Sequence, residues 1–197
     1  AGINATSQLN AIKKFLELNE IKKTIFLTPN ISYKNEIDQA IYNSKIKLVE
    51  SYIYNSKPTM LTNQIEKITK YENRKQNLVD EITRLEESSE NNKEQLIEEL
   101  KKKDTLGSVG FDSIIIADFD EGLKSVTTSL FYTDISPKKK YFITLNQWFD
   151  ESLLKETSSQ PLYFPSANKN NYDDFSFKYF ERYNQYSNQL SFLSYDL

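Results

Sequence analysis

The chain has no cysteine and no histidine among its 197 residues. Cysteine nucleophiles, Ser-His-Asp triads and zinc sites ligated by nitrogen or sulfur are therefore excluded. The missing cysteine leaves the compartment open, because periplasmic and cytosolic proteins both manage without disulfides. Glycine and proline are scarce, at 4 and 5 residues, and neither occurs between Thr62 and Lys103. No apolar run approaches the roughly 20 residues needed to span a bilayer, and no signal peptide is visible. The net charge of −3 gives no electrostatic case for nucleic acid or an anionic membrane.

What is present supports a folded α/β unit. Apolar residues make up 38% of the chain, with 12 Phe and 13 Tyr, enough for a real core. The abundance of Asn, Lys and Ile reads as compositional bias without functional content. From Phe111 onward, strand and helix patterns alternate. Phe111–Asp118 reads as a buried strand and Glu121–Tyr132 as an amphipathic helix. Lys140–Leu145 is a further strand, Trp148–Leu154 a short helix, Pro161–Phe164 a strand and Tyr172–Tyr186 an aromatic-rich helix. Phe175, Tyr179, Phe180 and Tyr183 stand at core spacing on that last helix.

The first quarter follows the same rhythm. A helix opened by Asn4 or Thr6 carries Leu9, Ile12, Phe15 and Leu16, and the apolar strand Lys23–Thr28 ends at Pro29-Asn30. Ser32 caps a helix with Ile37, Ala40 and Ile41, and Lys47–Tyr54 alternates as a half-exposed strand. This alternation predicts parallel strands with helices on both faces, a three-layer α/β fold.

The rhythm breaks over residues 62–104, a polar, helix-prone stretch read as a helical insertion. Leu61, Ile68 and Ile82 fall on one heptad position and Tyr71, Leu78 and Leu85 on the other. Residues 86–92 lack any apolar side chain and read as a turn before a second helix with Leu96, Ile97 and Leu100. The arm is read as a hairpin packed on its own domain; the rival reading is a lever that docks a partner. Both ends of the chain read as cut, since Ala1 replaces an initiating methionine and the pattern Leu190, Leu193, Leu197 stops mid-helix.

Parallel sheets place ligand sites at the carboxyl ends of their strands. Asp118-Phe119-Asp120-Glu121 follows a buried strand, and an Asp-x-Asp pair there can hold Mg²⁺, as in phosphatases that form an aspartyl-phosphate. Alternatively, Asp118 ends the strand while Asp120 and Glu121 stabilise the next helix start. The phosphatase reading needs further acids and a lysine at other strand ends, where Asn30, Asn55 and Asn146 stand instead. Asn146-Gln147-Trp148 offers an amide pair beside the only Trp, suited either to a small polar ligand or to turning the chain and capping the core. The Lys138-Lys139-Lys140 run reads as a solvated loop. No cofactor and no metal is expected.

On these residues the chain resembles the second lobe of type I periplasmic-binding proteins, the fold of branched-chain amino acid receptors. It is most similar to the penicillin-binding protein activator family of envelope lipoproteins. The resemblance runs through Phe-Asp-Ser-Ile-Ile-Ile-Ala-Asp-Phe at 111–119, Leu-Phe-Tyr-Thr-Asp-Ile at 130–135 and the strand end at Trp148. Phe180-Glu181-Arg182-Tyr183, Leu193-Ser194-Tyr195-Asp196 and Asp104-Thr105-Leu106-Gly107 continue it.

The resemblance implies one lobe of a two-lobed, non-catalytic periplasmic protein, lipid-anchored in full length. Its partner would be a penicillin-binding protein acting in peptidoglycan synthesis. Asp118, Phe119, Asn146, Gln147 and Trp148 would line the half-cleft, with Asn30 and Tyr54 on the same rim, around a small polar ligand. The alternative is the substrate-binding lobe of an ABC transporter receptor for amino acids or similar solutes. Such receptors carry a Tyr-Gly pair after the lobe's first strand, and Asn30-Ile31-Ser32-Tyr33-Lys34 lacks the glycine.

Overall fold

A computed structural model describes residues 4–30, 33–145, 159–166 and 169–187. The elements run α1 (Ala5–Leu18), β1 (Thr24–Pro29), α2 (Lys34–Ser44), β2 (Glu50–Tyr54), α3 (Pro58–Ile68), α4 (Tyr71–Glu87) and α5 (Lys93–Leu100). They continue with β3 (Ser113–Ile116), α6 (Asp120–Tyr132), β4 (Tyr141–Thr144), β5 (Leu162–Tyr163) and α7 (Lys169–Tyr183). All strands pair in parallel in the order β2-β1-β3-β4-β5. The expected short helix from Trp148 and the pattern closing on Leu197 lie outside the described residues, as does Ser32. Among the described residues no helix is long and apolar enough to cross a membrane.

Period-two alternation in the strands assigns side chains to two separate cores. Ile25, Leu27, Ile114, Ile116 and Phe142 face α3 and α6, meeting Leu61, Ile65, Leu123, Val126 and Leu130. Phe26, Ile115 and Ile143 face the other way, onto Leu9, Ile12 and Leu16 of α1 and Ile37 and Ala40 of α2. Strands β1 and β3 are buried along their whole length, as a parallel sheet covered on both faces requires. The fold is the expected three-layer α/β arrangement. β2 lies at the sheet edge and shows the half-exposed pattern expected of it, with only Tyr54 fully buried.

Of the two residues expected to open the first helix, Asn4 is the one that caps it. Asn4 accepts from Ser7 N–H at 2.8 Å, and Ser7 Oγ accepts from Asn4 N–H at 3.1 Å, a reciprocal cap. Two features differ from the sequence reading. The single heptad seam breaks between α3 and α4, where Lys70 takes a left-handed conformation (φ 52°). Leu61 and Ile65 consequently join the sheet core, while Leu85 and Leu100 are buried outside both cores.

The second difference is the aromatic stripe of α7, where only Phe175 is buried and Phe180 and Tyr183 are exposed. Its rings stack along the helix, Tyr179 on Tyr183 at 4.7 Å and Phe175 on Tyr179 at 5.7 Å between centroids. Spacing alone cannot tell such stacking from burial.

Arg74, in the first turn of α4, is a buried cation (5% exposed) that ties three segments together. Its Nε donates to Thr69 O at 2.9 Å, one terminal nitrogen to Thr105 Oγ1 at 2.8 Å, and the other to Thr133 O. Thr105 in turn donates to Asp134 Oδ2 at 2.6 Å, which brings a countercharge within one hydroxyl of the guanidinium. Burial lowers the Arg74 pKa, and the nearby Asp134 opposes that shift.

Candidate functional site

The strand order reverses direction between β1 and β3, and in open parallel sheets that switch point is where ligands bind. Asp118 stands there, two residues beyond Ile116. Because Ile116 pairs with Leu27, and Pro29 pairs with Tyr54, the three residues Tyr54, Pro29 and Asp118 form one row across the carboxyl edge. The Tyr54 phenol spans that row and donates to Asp118 Oδ2. The other carboxylate oxygen accepts from Phe119 N–H at 2.8 Å. From β4, the Thr144 hydroxyl donates to Ile116 O at 2.7 Å and to Asp118 O at 3.3 Å, fixing the strand exit.

A glycine makes room for this carboxylate. A methyl group at Gly122 would lie 2.3 Å from Asp118 Oδ2 and 2.6 Å from its Cγ. The carboxylate therefore rests against the first turn of α6, where the helix end favours negative charge. Tyr54 itself is 1% exposed, so its aromatic ring belongs to the core while its hydroxyl faces the site.

Two phenols sense this anion. Burial, with a smaller contribution from the Asp118 charge, pushes the Tyr33 pKa up to about 12. Tyr54 is pushed up further, first by burial, then by the hydrogen bond and charge of Asp118 and by the proximity of Tyr33. Both therefore stay protonated near neutral pH and present O–H donors.

The structure brings Asp118 and Tyr54 into contact, and Tyr33, which sequence reasoning did not single out, lies near enough to feel the same charge while it packs on the α1 and α2 core. Its signal was its place three residues beyond the Pro29-Asn30 strand end. Asn30 is exposed on the rim, and its backbone N–H donates to Tyr54 O at 3.0 Å. Phe119 contributes its backbone N–H, while its ring packs on the core beside α1 and α2. Asn146, Gln147 and Trp148 lie outside the described residues.

Asp120 and Glu121 occupy the first turn of α6, the helix-start position weighed above, and Glu121 pairs with Lys124 at 2.9 Å. Among the described residues no group of three or more acidic side chains is placed to hold a metal ion. The arrangement is one of hydrogen-bond donors and one anchored anion at the mouth of a sheet.

No protein-family model and no curated protein matches this chain. Solved structures do. A branched-chain amino acid ABC transporter periplasmic ligand-binding protein from Burkholderia xenovorans superposes with a TM-score of 0.56 at 9% identity, over 94% of this chain and 42% of its own. The leucine-, isoleucine-, valine-, threonine- and alanine-binding protein from Brucella ovis gives 0.55 at 12% identity, over 93% and 40%. An extracellular ligand-binding receptor from Verminephrobacter eiseniae gives 0.53 at 10% identity, over 96% and 46%.

The fold is that of one lobe of a periplasmic ligand-binding protein of type I. The likeness is one of fold, and the chain spans less than half the length of each of these three proteins.

Proposed function

We propose that this chain is a non-catalytic, ligand-binding lobe of a periplasmic or extracellular receptor, taking a small polar solute that carries an amine. The observation that carries this reading is the Asp118 carboxylate, held at the switch point by Tyr54 and set against Gly122. A fixed anion suits an ammonium group, and the Tyr54 phenol that donates to it holds the carboxylate in place for that contact. Tyr33 and Asn30 are the further candidates for this wall among the described residues, and Asn146, Gln147 and Trp148 stay candidates on the sequence resemblance alone.

The comparisons support a receptor rather than a cell-wall regulator. Activation of a penicillin-binding protein rests on the motif resemblance alone. Within the receptor reading, the insertion expected over 62–104 is the α4–α5 hairpin, with α3 belonging to the lobe.

A thermal-shift screen of amino acids, amines and amine-free carboxylates tests the proposal, with calorimetry on each hit. Amine-bearing solutes should stabilise the protein, and Asp118→Asn should weaken their binding at least about tenfold, the loss expected for one charge-assisted hydrogen bond. A flat response across the amine-bearing set overturns the reading.

A further inference from the structure

The overall charge of −3 conceals a strong segregation. In a parallel sheet all strands start at one edge and all the preceding helices end there. At this edge Lys22-Lys23 precede β1, Lys45 and Lys47 precede β2, and Lys138–Lys140 precede β4. Lys101–Lys103 follow α5 and join them, since Lys103 lines the same recess as Lys139 and Lys140. Among the described residues, the four loops leading into β1 to β4 carry ten lysines against four carboxylates, Glu20, Asp104, Asp112 and Asp134, with Glu17, Glu98 and Glu99 in the helix turns that lead into them. Two of those carboxylates already face lysines, Asp112 toward Lys140 and Asp134 toward Lys139, each at 3.8 Å.

Large apolar side chains stand exposed among these cations. Leu18 at the end of α1 is 84% exposed and Tyr42 in the last turn of α2 is 83% exposed. Val49 before β2, and Phe131 and Tyr132 at the end of α6, are more than half exposed. A groove of about 460 Å³ opens on the same edge, where Lys13, Lys22, Lys45 and Lys47, with Glu17 as the one acid, surround the apolar Leu16, Ile21 and Ile46.

We propose that this edge, opposite Asp118, is a docking surface for an anionic phospholipid bilayer. Charge complementarity selects an anionic occupant. The form of the charge selects a lipid surface. The ten cations are all lysine, point charges without the planar fork that reads a single phosphate or carboxylate. They spread over the whole edge, as a delocalised surface potential requires. The exposed Leu18, Val49 and Phe131 are side chains that enter an acyl boundary, and Tyr42 and Tyr132 suit the headgroup level. A soluble polyanion offers nothing to the aliphatic ones. The remainder of the molecule is correspondingly acidic, so repulsion turns the other faces away and fixes the orientation. This inference stands apart from solute binding, which uses the other end of the sheet.

The test is flotation of the full chain with vesicles of phosphatidylcholine alone and of phosphatidylcholine mixed with phosphatidylglycerol. Recovery should require the anionic lipid and fall as salt is raised. Lys22→Gln, Lys45→Gln and Lys47→Gln combined should lower partitioning on the order of a hundredfold, from the contribution of each lysine near an anionic surface. Leu18→Ser should lower it while leaving its salt dependence unchanged. Lys57→Gln, at the carboxyl edge, serves as the single-charge control against Lys45→Gln alone, and circular dichroism verifies the fold of each variant. Equal recovery on neutral vesicles, no recovery on either, or binding confined to DNA or polyglutamate would each overturn the proposal.

Discussion

At the scale of single residues, the Asp118 carboxylate is defined as much by what is missing beside it as by what touches it. Glycine inside a helix usually costs about 1 kcal/mol relative to alanine, so Gly122→Ala on α6 would ordinarily stabilise. Here the added methyl would stand 2.3 Å from Asp118 Oδ2, and the carboxylate must leave. Tyr54, buried with its hydroxyl aimed at that oxygen, then loses its acceptor. Gly122→Ala should therefore destabilise, by about 1–3 kcal/mol in urea unfolding, the range for stranding a buried polar group. Tyr54→Phe alone should cost about 1–2 kcal/mol. The double variant should cost clearly less than the sum, because both changes break the same contact. Additive losses would show that Gly122 and Tyr54 act separately. The acid itself was legible in the sequence as a polar residue ending an apolar run. Tyr54 read as a rim candidate at the end of a half-exposed strand, but nothing local tells that its phenol crosses β1 to reach Asp118.

Among the elements, α3, α4 and α6 meet at their ends, and Arg74 is what joins them. Carbonyls at helix ends lack intrahelical partners, and a buried cation satisfies two of them at once, those of Thr69 and Thr133. Removing the guanidinium leaves both carbonyls and Thr105 short of a partner. Arg74→Met should thus destabilise by about 3 kcal/mol or more, measured by chemical denaturation. Arg74→Lys should recover only part of that, because one ammonium cannot match three diverging acceptors. A loss below about 1 kcal/mol for Arg74→Met would show that the carbonyls find other donors. Nothing in the sequence marked this residue. Arginine in a polar helical stretch reads as solvated, and only the break at Lys70, where a non-glycine residue turns left-handed, carries it under the loop at Thr105. The strands were legible for the opposite reason. Runs such as Ser113–Ile116 are buried on both faces, so composition alone identifies them.

Across the whole molecule, the two cores share one sheet, and stability should be distributed accordingly. Strands β1 and β3 have a neighbour on each side and a helical layer on each face, so their amides can exchange only when both layers open. Helix α3 is bound to that unit through Leu61 and Ile65. Beyond Arg74 the hairpin of α4 and α5 buries Leu85 and Leu100 outside either core, and most of its remaining surface is solvated. The alternating pattern gave the layers, since each strand's two faces feed a different set of helices. It could not place the boundary of the arm, because the helix-prone pattern runs on through α3 and α4 without an interior glycine or proline, and the boundary is set by what each packs against. Native-state hydrogen exchange resolves that boundary. Amides of Phe26 and Ile115 should exchange at the free energy of global unfolding, with its full denaturant dependence. Amides around Leu85 and Ile97 should exchange through a smaller, separate opening, while those following Arg74 in the first turn of α4 remain tied to the lobe through Thr133. Protection at Leu85 equal to that at Ile115 would make the hairpin an integral part of the lobe and remove the reason to treat it as an insertion.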